Sequence, residues 1–148
     1  MRARRMTIAA VSLTLAPMVA APSSLGASSF QQKADRACAK AGAAVERLPK
    51  NVTVTVIEKQ IQIADAMLKD LRAINPPATS AKKYDKFITE TKDQVVDVKA
   101  VLSAAEQNNK SKTESELKKA TAAGKASDAT ARALGLAACA KDYQPEGK

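Results

Sequence analysis

Cys38 and Cys139 are the two residues of this chain best equipped for covalent chemistry. Two thiols far apart in sequence can form one intramolecular bridge, and with only two the pairing is unique. They can equally stay unpaired and serve as small apolar side chains. An oxidising compartment selects the bridge. Carboxylates are the next candidates. Asp93 and Asp97 stand four residues apart and so share one helix face, a spacing that can hold a cation weakly but more often forms a solvated face. Glu114 and Glu116 sit where a fourth helix begins, and acids there complement the helix dipole.

Absences remove whole classes of chemistry. The chain has no His, so a Ser-His-Asp triad, a His-ligated zinc and a Glu-x-x-His di-iron site are excluded. Cys139 is followed by Ala140-Lys141-Asp142, which is not a haem-attachment motif. No glycine-rich phosphate loop is present. Single-strand nucleic-acid binders combine a basic groove with aromatic platforms, and here the aromatics are only Phe30, Tyr84, Phe87 and Tyr143. The expected sets of catalytic, cofactor-binding and metal-ligating residues are therefore empty, and nucleic acid is not an expected partner. An enzyme is not expected.

The N-terminus supplies the compartment. Met1–Arg5 carries three arginines, residues 6–21 are apolar and uncharged, and residues 22–29 are small and polar. Basic, apolar, then small is the order of a signal peptide, expected to span 1–28 with cleavage between about Ala21 and Ser28, most favourably near Gly26–Ala27. The apolar run holds Thr7, Ser12, Thr14 and Pro17 and is too short to span a membrane stably. No cysteine follows it to accept a lipid. Export to the medium or the cell envelope is expected, and with it the Cys38–Cys139 disulfide.

Charge constrains partners loosely. Formal net charge is +9; without Arg2, Arg4 and Arg5 the 24 basic residues fall to 21 against 15 acids, leaving +6. That surplus suits weak attraction to anionic wall polymers or lipid headgroups. Its dispersal among Asp and Glu equally suits an ordinary solvated surface.

The elements that must position the cysteines are all helical. The chain is alanine-rich, and five glycines and four aromatics are few for a sheet protein. Apolar spacing predicts four helices. Helix 1 covers about 29–48, with Phe30, Ala34, Ala37, Cys38, Ala41, Val45 and Leu48 inward. Pro49–Thr55 alternates like a strand but has nothing to pair with, so an extended connector is expected. Helix 2 continues to Ile74, with Ile57, Ile61, Ala64, Leu68 and Leu71 inward, and Asn75-Pro76-Pro77 ends it. Helix 3 starts near Thr79–Ser80 and shows the strongest amphipathic pattern, from Tyr84, Phe87, Ile88 and Thr91 to Val95, Val98 and Leu102. After a polar turn at 107–111, helix 4 is expected from about Lys112 to Ala140, with Leu117, Ala120, Gly124, Ser127, Ala131, Leu134 and Ala138 inward.

Short connections predict an all-α, antiparallel four-helix bundle over 29–142, with a frayed tail at 143–148 and helix 1 linked to helix 4 by the disulfide. Geometry tests that link. Cys38 lies about 15 Å from the end of helix 1, which leaves it mid-bundle and more than about 10 Å from Cys139 at the end of a long helix 4, beyond disulfide reach. The gap closes if helix 1 sits lower and Pro49–Thr55 climbs the bundle as a strap. Strap and bridge are expected together.

Several segments carry a family resemblance: Ala34–Cys38–Ala41, Leu48-Pro49, Leu71-Arg72-Ala73-Ile74-Asn75-Pro76-Pro77, Tyr84–Phe87, and Ala131-Arg132-Ala133-Leu134-Gly135-Leu136 with Cys139. Over nearly all of 30–140 the chain resembles a loose group of small exported helical proteins and lipoproteins of high-GC Gram-positive bacteria. The resemblance implies a helical fold with a cysteine pair and carries no catalytic residue. Some members are lipid-anchored, and this chain lacks the lipid-accepting cysteine. By elimination, the expected function is non-enzymatic, binding or structural, in the envelope or medium. The alternative is a carrier holding a small apolar ligand between helices, since the small inward face of helix 4 leaves room there.

Overall fold

A stripe of apolar residues at steps of three and four leaves each helix unstable until the stripe is covered. Four helices meet that need here. The computed structural model describes residues 28–51 and 53–140; the expected signal peptide at 1–28, but for Ser28, and the expected tail at 143–148 lie outside them. The helices are α1 (Ser29–Glu46), α2 (Val54–Arg72), α3 (Ala78–Glu106) and α4 (Lys110–Ala133), and no strand occurs among the described residues.

Local chemistry fixes the ends. Ser28 caps α1 in a reciprocal box: its Oγ accepts from the Gln31 amide, and the Ser28 amide donates to Gln31 Oε1. Thr53 caps α2 by accepting from the Val56 amide, and Asn109 caps α4 by accepting from the Lys112 amide. Pro77 precedes α3 without a side-chain cap. Helix α4 begins at Lys110, so Glu114 and Glu116 lie beyond its first turn. They pair with Lys110 and Lys119 instead of capping the dipole as expected.

The helices pack in chain order, α1 on α2, α2 on α3 and α3 on α4. Helices α2 and α3, and α3 and α4, run antiparallel. Along α3 and α4, Lys83 meets Ala133, Lys86 meets Thr130, and Thr91 meets Ser127. Along α2 and α3, Leu71 receives the Tyr84 hydroxyl and Asp65 meets Lys99. Gly124 permits the close approach of α4 to α3, because a Cβ there would meet the Gln94 carboxamide at 2.8 Å.

Two apolar clusters result. The larger joins Phe30, Cys38, Leu71, Tyr84, Phe87, Ala131 and Leu136; the smaller joins Ile61, Leu68 and Val95 between α2 and α3. Three of the four aromatic side chains meet in the first. Phe30 stands edge-on to Tyr84 at 5.0 Å, and Tyr84 lies 6.0 Å from Phe87. The Tyr84 hydroxyl donates to the Leu71 carbonyl at 2.8 Å, satisfying the end of α2, and burial pushes its phenol up to about 12.

The largest departure from expectation is the end of α4. It stops at Ala133, not near Ala140. Gly135 adopts φ +72°, its amide donates to the Arg132 carbonyl, and the Leu136 amide donates to Ala131. These are the two bonds of a Schellman motif, which reverses the chain. Asn108 (φ 53°) ends α3 in the same way, with the Asn108 and Asn109 amides on Ala105 and Ala104. Leu136 then drops fully into the core.

The segment after α4 climbs along α1. Gln31 Nε2 donates to the Leu134 carbonyl, Asp35 Oδ1 accepts from the Ala138 amide, and Cys38 is bonded to Cys139. Residues 31, 35 and 38 share one face of α1, so 134–139 forms a strap on that face. The expected strap at Pro49–Thr55 is not there: residues 47–51 form a turn and bends, and α2 has begun by Val54. The bridge therefore joins α1 to the turn beyond α4, not to α4 itself.

Replacement of Gly135 by Ala tests this reversal. A left-handed conformation burdens a Cβ by about 1–2 kcal/mol, and the new methyl would come within 2.6 Å of Gln31 Nε2, breaking the bond to Leu134, worth about 1 kcal/mol. We expect a loss of about 2–3 kcal/mol in denaturant unfolding. A change below about 0.5 kcal/mol would mean that the strap does not depend on the αL turn.

Candidate functional site

Because α4 packs only on α3 among the described helices, the strap is what links α1 to the end of α4. It reaches only as far as Cys139 and Ala140 in the described chain. Residues 41–46 of α1 are all half-buried where the periodicity expected full burial of Ala41 and Val45. Between the helices lies a half-open cleft of about 220 Å³ to which all four contribute.

Its walls differ in chemistry. Val45, Ile63, Met67 and Phe87 form apolar surface, Ala41, Gly42 and Ala64 keep it wide, and the Cys38–Cys139 bridge lines it as well. Thr91 and Ser127 also line it; their hydroxyls share a buried 2.8 Å hydrogen bond while Thr91 Oγ1 also donates to the Phe87 carbonyl. One hydroxyl hydrogen serves each of these bonds, so neither side chain is an activated nucleophile. Gln60 from α2 and Gln94 from α3 also line the cleft. Neither carboxamide has a hydrogen-bond partner among the described residues. Asp128 is the one charged lining residue, and it has a partner of its own.

The predicted bridge is formed: Cys38 and Cys139 are joined, with Cα atoms 5.1 Å apart. The Asp93–Asp97 pair lies on α3 with Asp93 exposed and Asp97 half-buried. Among the described residues no three His, Cys, Asp or Glu side chains gather where a metal could be held. Leu117, expected inward, is 40% exposed. It borders a smaller hollow of about 80 Å³ with Val98 and Gln94, where no third helix covers the α3–α4 pair.

The polar members of the cleft were not singled out by sequence reasoning. Gln60 and Gln94 occupy positions that look solvated on a helical wheel. Their one signal is placement beside inward residues: Gln94 precedes Val95, and Gln60 precedes Ile61. Close by, Glu90 accepts from Lys86 Nζ at 2.6 Å. Partial burial alone would raise its pKa, but the hydrogen bonds from Lys86 and Thr130, with the Lys86 charge, outweigh it and hold the carboxyl below its ordinary value.

Surface ion pairs tie the helices without defining a second site. Lys40–Asp70 links α1 to α2 and Lys99–Asp65 links α2 to α3, all four side chains well exposed, so each contributes little. No described helix is long and apolar enough to cross a membrane. Comparison of the chain with protein-family models, with curated proteins and with solved structures gives no match in any of the three.

Proposed function

We propose that this chain is an exported, non-enzymatic protein of the cell envelope or surrounding medium, acting by binding. The observation that carries the reading is the Cys38–Cys139 bridge, with Cys38 buried in the main core. Such a bond persists where the surroundings are oxidising. The basic-apolar-small N-terminus and the resemblance to exported helical proteins point the same way. The cleft supports binding over catalysis, because its hydroxyls are occupied with each other and no imidazole exists to activate them.

The test is the intact mass of the protein from the medium and from the cell fraction, with thiols alkylated before and after reduction. The expected result is a mass lacking about 21–28 N-terminal residues and alkylation only after reduction. A full-length mass with two freely alkylated thiols would overturn the reading.

The four-helix cleft favours a second reading, that of a carrier for a small ligand. A carrier recovered gently from its source shows a surplus mass under native conditions that disappears on denaturation. A protein that instead acts through its basic faces is released from cells by salt and carries no surplus.

A further inference from the structure

We infer that the four-helix cleft takes one small, uncharged, amphipathic molecule, with its apolar body against Met67 and Phe87 and its hydroxyl or carbonyl on Gln60 and Gln94. The inference rests on the carrier reading and narrows it, since the carrier was expected to hold an apolar ligand. About 220 Å³ is room for about seven waters or one ligand of roughly ten non-hydrogen atoms.

Three features set the ligand class. The first is the mixed wall. A dry apolar void suits a hydrocarbon, but here Gln60 and Gln94 each bring donors and an acceptor that no described residue satisfies. A hydrocarbon seated against them would strip their water and return nothing, which is unfavourable for a polar group. The second is charge. Asp128 is already engaged, so an ionic ligand would enter without a free counter-charge and lose its hydration uncompensated. The third is width. Ala41, Gly42 and Ala64 line the walls, and these small side chains keep the space open where larger ones would fill it.

Met67 offers a direct reporter. The chain has four methionines, so labelling with [13C-methyl]methionine gives at most four methyl signals, and Met67→Leu identifies the one in the cleft. The probes are benzyl alcohol and toluene, of similar shape and differing in one hydroxyl. We expect benzyl alcohol to shift the Met67 signal saturably with a Kd of about 1 mM or tighter, and to bind at least as well as toluene. Without hydrogen bonding, toluene would win by roughly tenfold or more, because it has no hydroxyl to desolvate. The double variant Gln60→Leu, Gln94→Leu should weaken benzyl alcohol about tenfold relative to toluene, and Ala41→Leu should abolish both shifts by filling the space.

A tenfold preference for toluene would overturn the amphipathic inference and leave the carrier reading standing. No Met67 shift with either probe would overturn both. Shifts that survive Ala41→Leu would place the probes elsewhere and overturn the inference. If the double variant does not fold, the order of the two probes on the unaltered protein decides alone.

Discussion

Reduction of the Cys38–Cys139 bridge should remove about 4–5 kcal/mol of unfolding free energy and lower the melting midpoint by about 15–20 °C. The bond closes a loop across a sequence separation of 101 residues, and the chain-entropy model gives loops of that length its largest effect. The loss is comparable with the whole net stability of a small domain. Non-covalent contacts keep the reduced protein from unfolding outright. Leu136 is fully buried, which stabilises the strap by about 1.5–3 kcal/mol, and the hydrogen bonds to Gln31 and Asp35 add about 1 kcal/mol or more each. The reduced form should therefore be folded but marginal at 25 °C. Guanidinium unfolding followed by far-UV circular dichroism, with and without reductant and on the double variant Cys38→Ser, Cys139→Ser, measures the difference. A change below about 1 kcal/mol would mean that the strap stays docked without the bond and that the denatured chain is already restricted.

That bridge also separates what the sequence could convey from what it could not. Four helices follow from apolar spacing, and their starts lie within two residues of expectation; Ser28, Thr53 and Asn109 fix three of them as side-chain caps. Pairing of the cysteines follows from their number. The end of α4 is not legible from propensity, because Leu136–Ala140 continues an alanine-rich pattern that favours helix. Gly135 after Arg132 is the stop signal that overrides propensity there. The cleft was not legible at all. Helical periodicity tells which residues face inward, but not whether a neighbouring helix comes close enough to cover them. Ala41 and Val45 face inward and remain half-buried because α4 does not pack on α1.

Truncation of Phe87 to alanine should cost about 3–5 kcal/mol, the largest effect of any single side chain here. Alanine supplies five of the sixteen buried apolar residues described, so the few aromatic ones carry a disproportionate share of the buried area. Phe87 is 1% exposed and belongs to the cluster that holds Leu71, Tyr84, Ala131 and Leu136. Its loss removes the ring packed 6.0 Å from Tyr84, a pairing worth about 0.5–1.5 kcal/mol beyond burial. It also opens the core towards the cleft, which Phe87 lines. Two effects then compete. A sealed cavity would carry its full penalty, whereas a void continuous with the cleft can admit water and relax part of it. Leu71→Ala provides the comparison, since Leu71 is equally buried but does not line the cleft. If the wet cleft relieves the cavity, Phe87→Ala falls near 3 kcal/mol and approaches Leu71→Ala despite the larger side chain removed. If the void instead stays sealed from the cleft and dry, Phe87→Ala stays near 5 kcal/mol. A loss below about 1.5 kcal/mol would show that the aromatic cluster is not the centre of this fold, because exposed or loosely packed side chains alone give values that small.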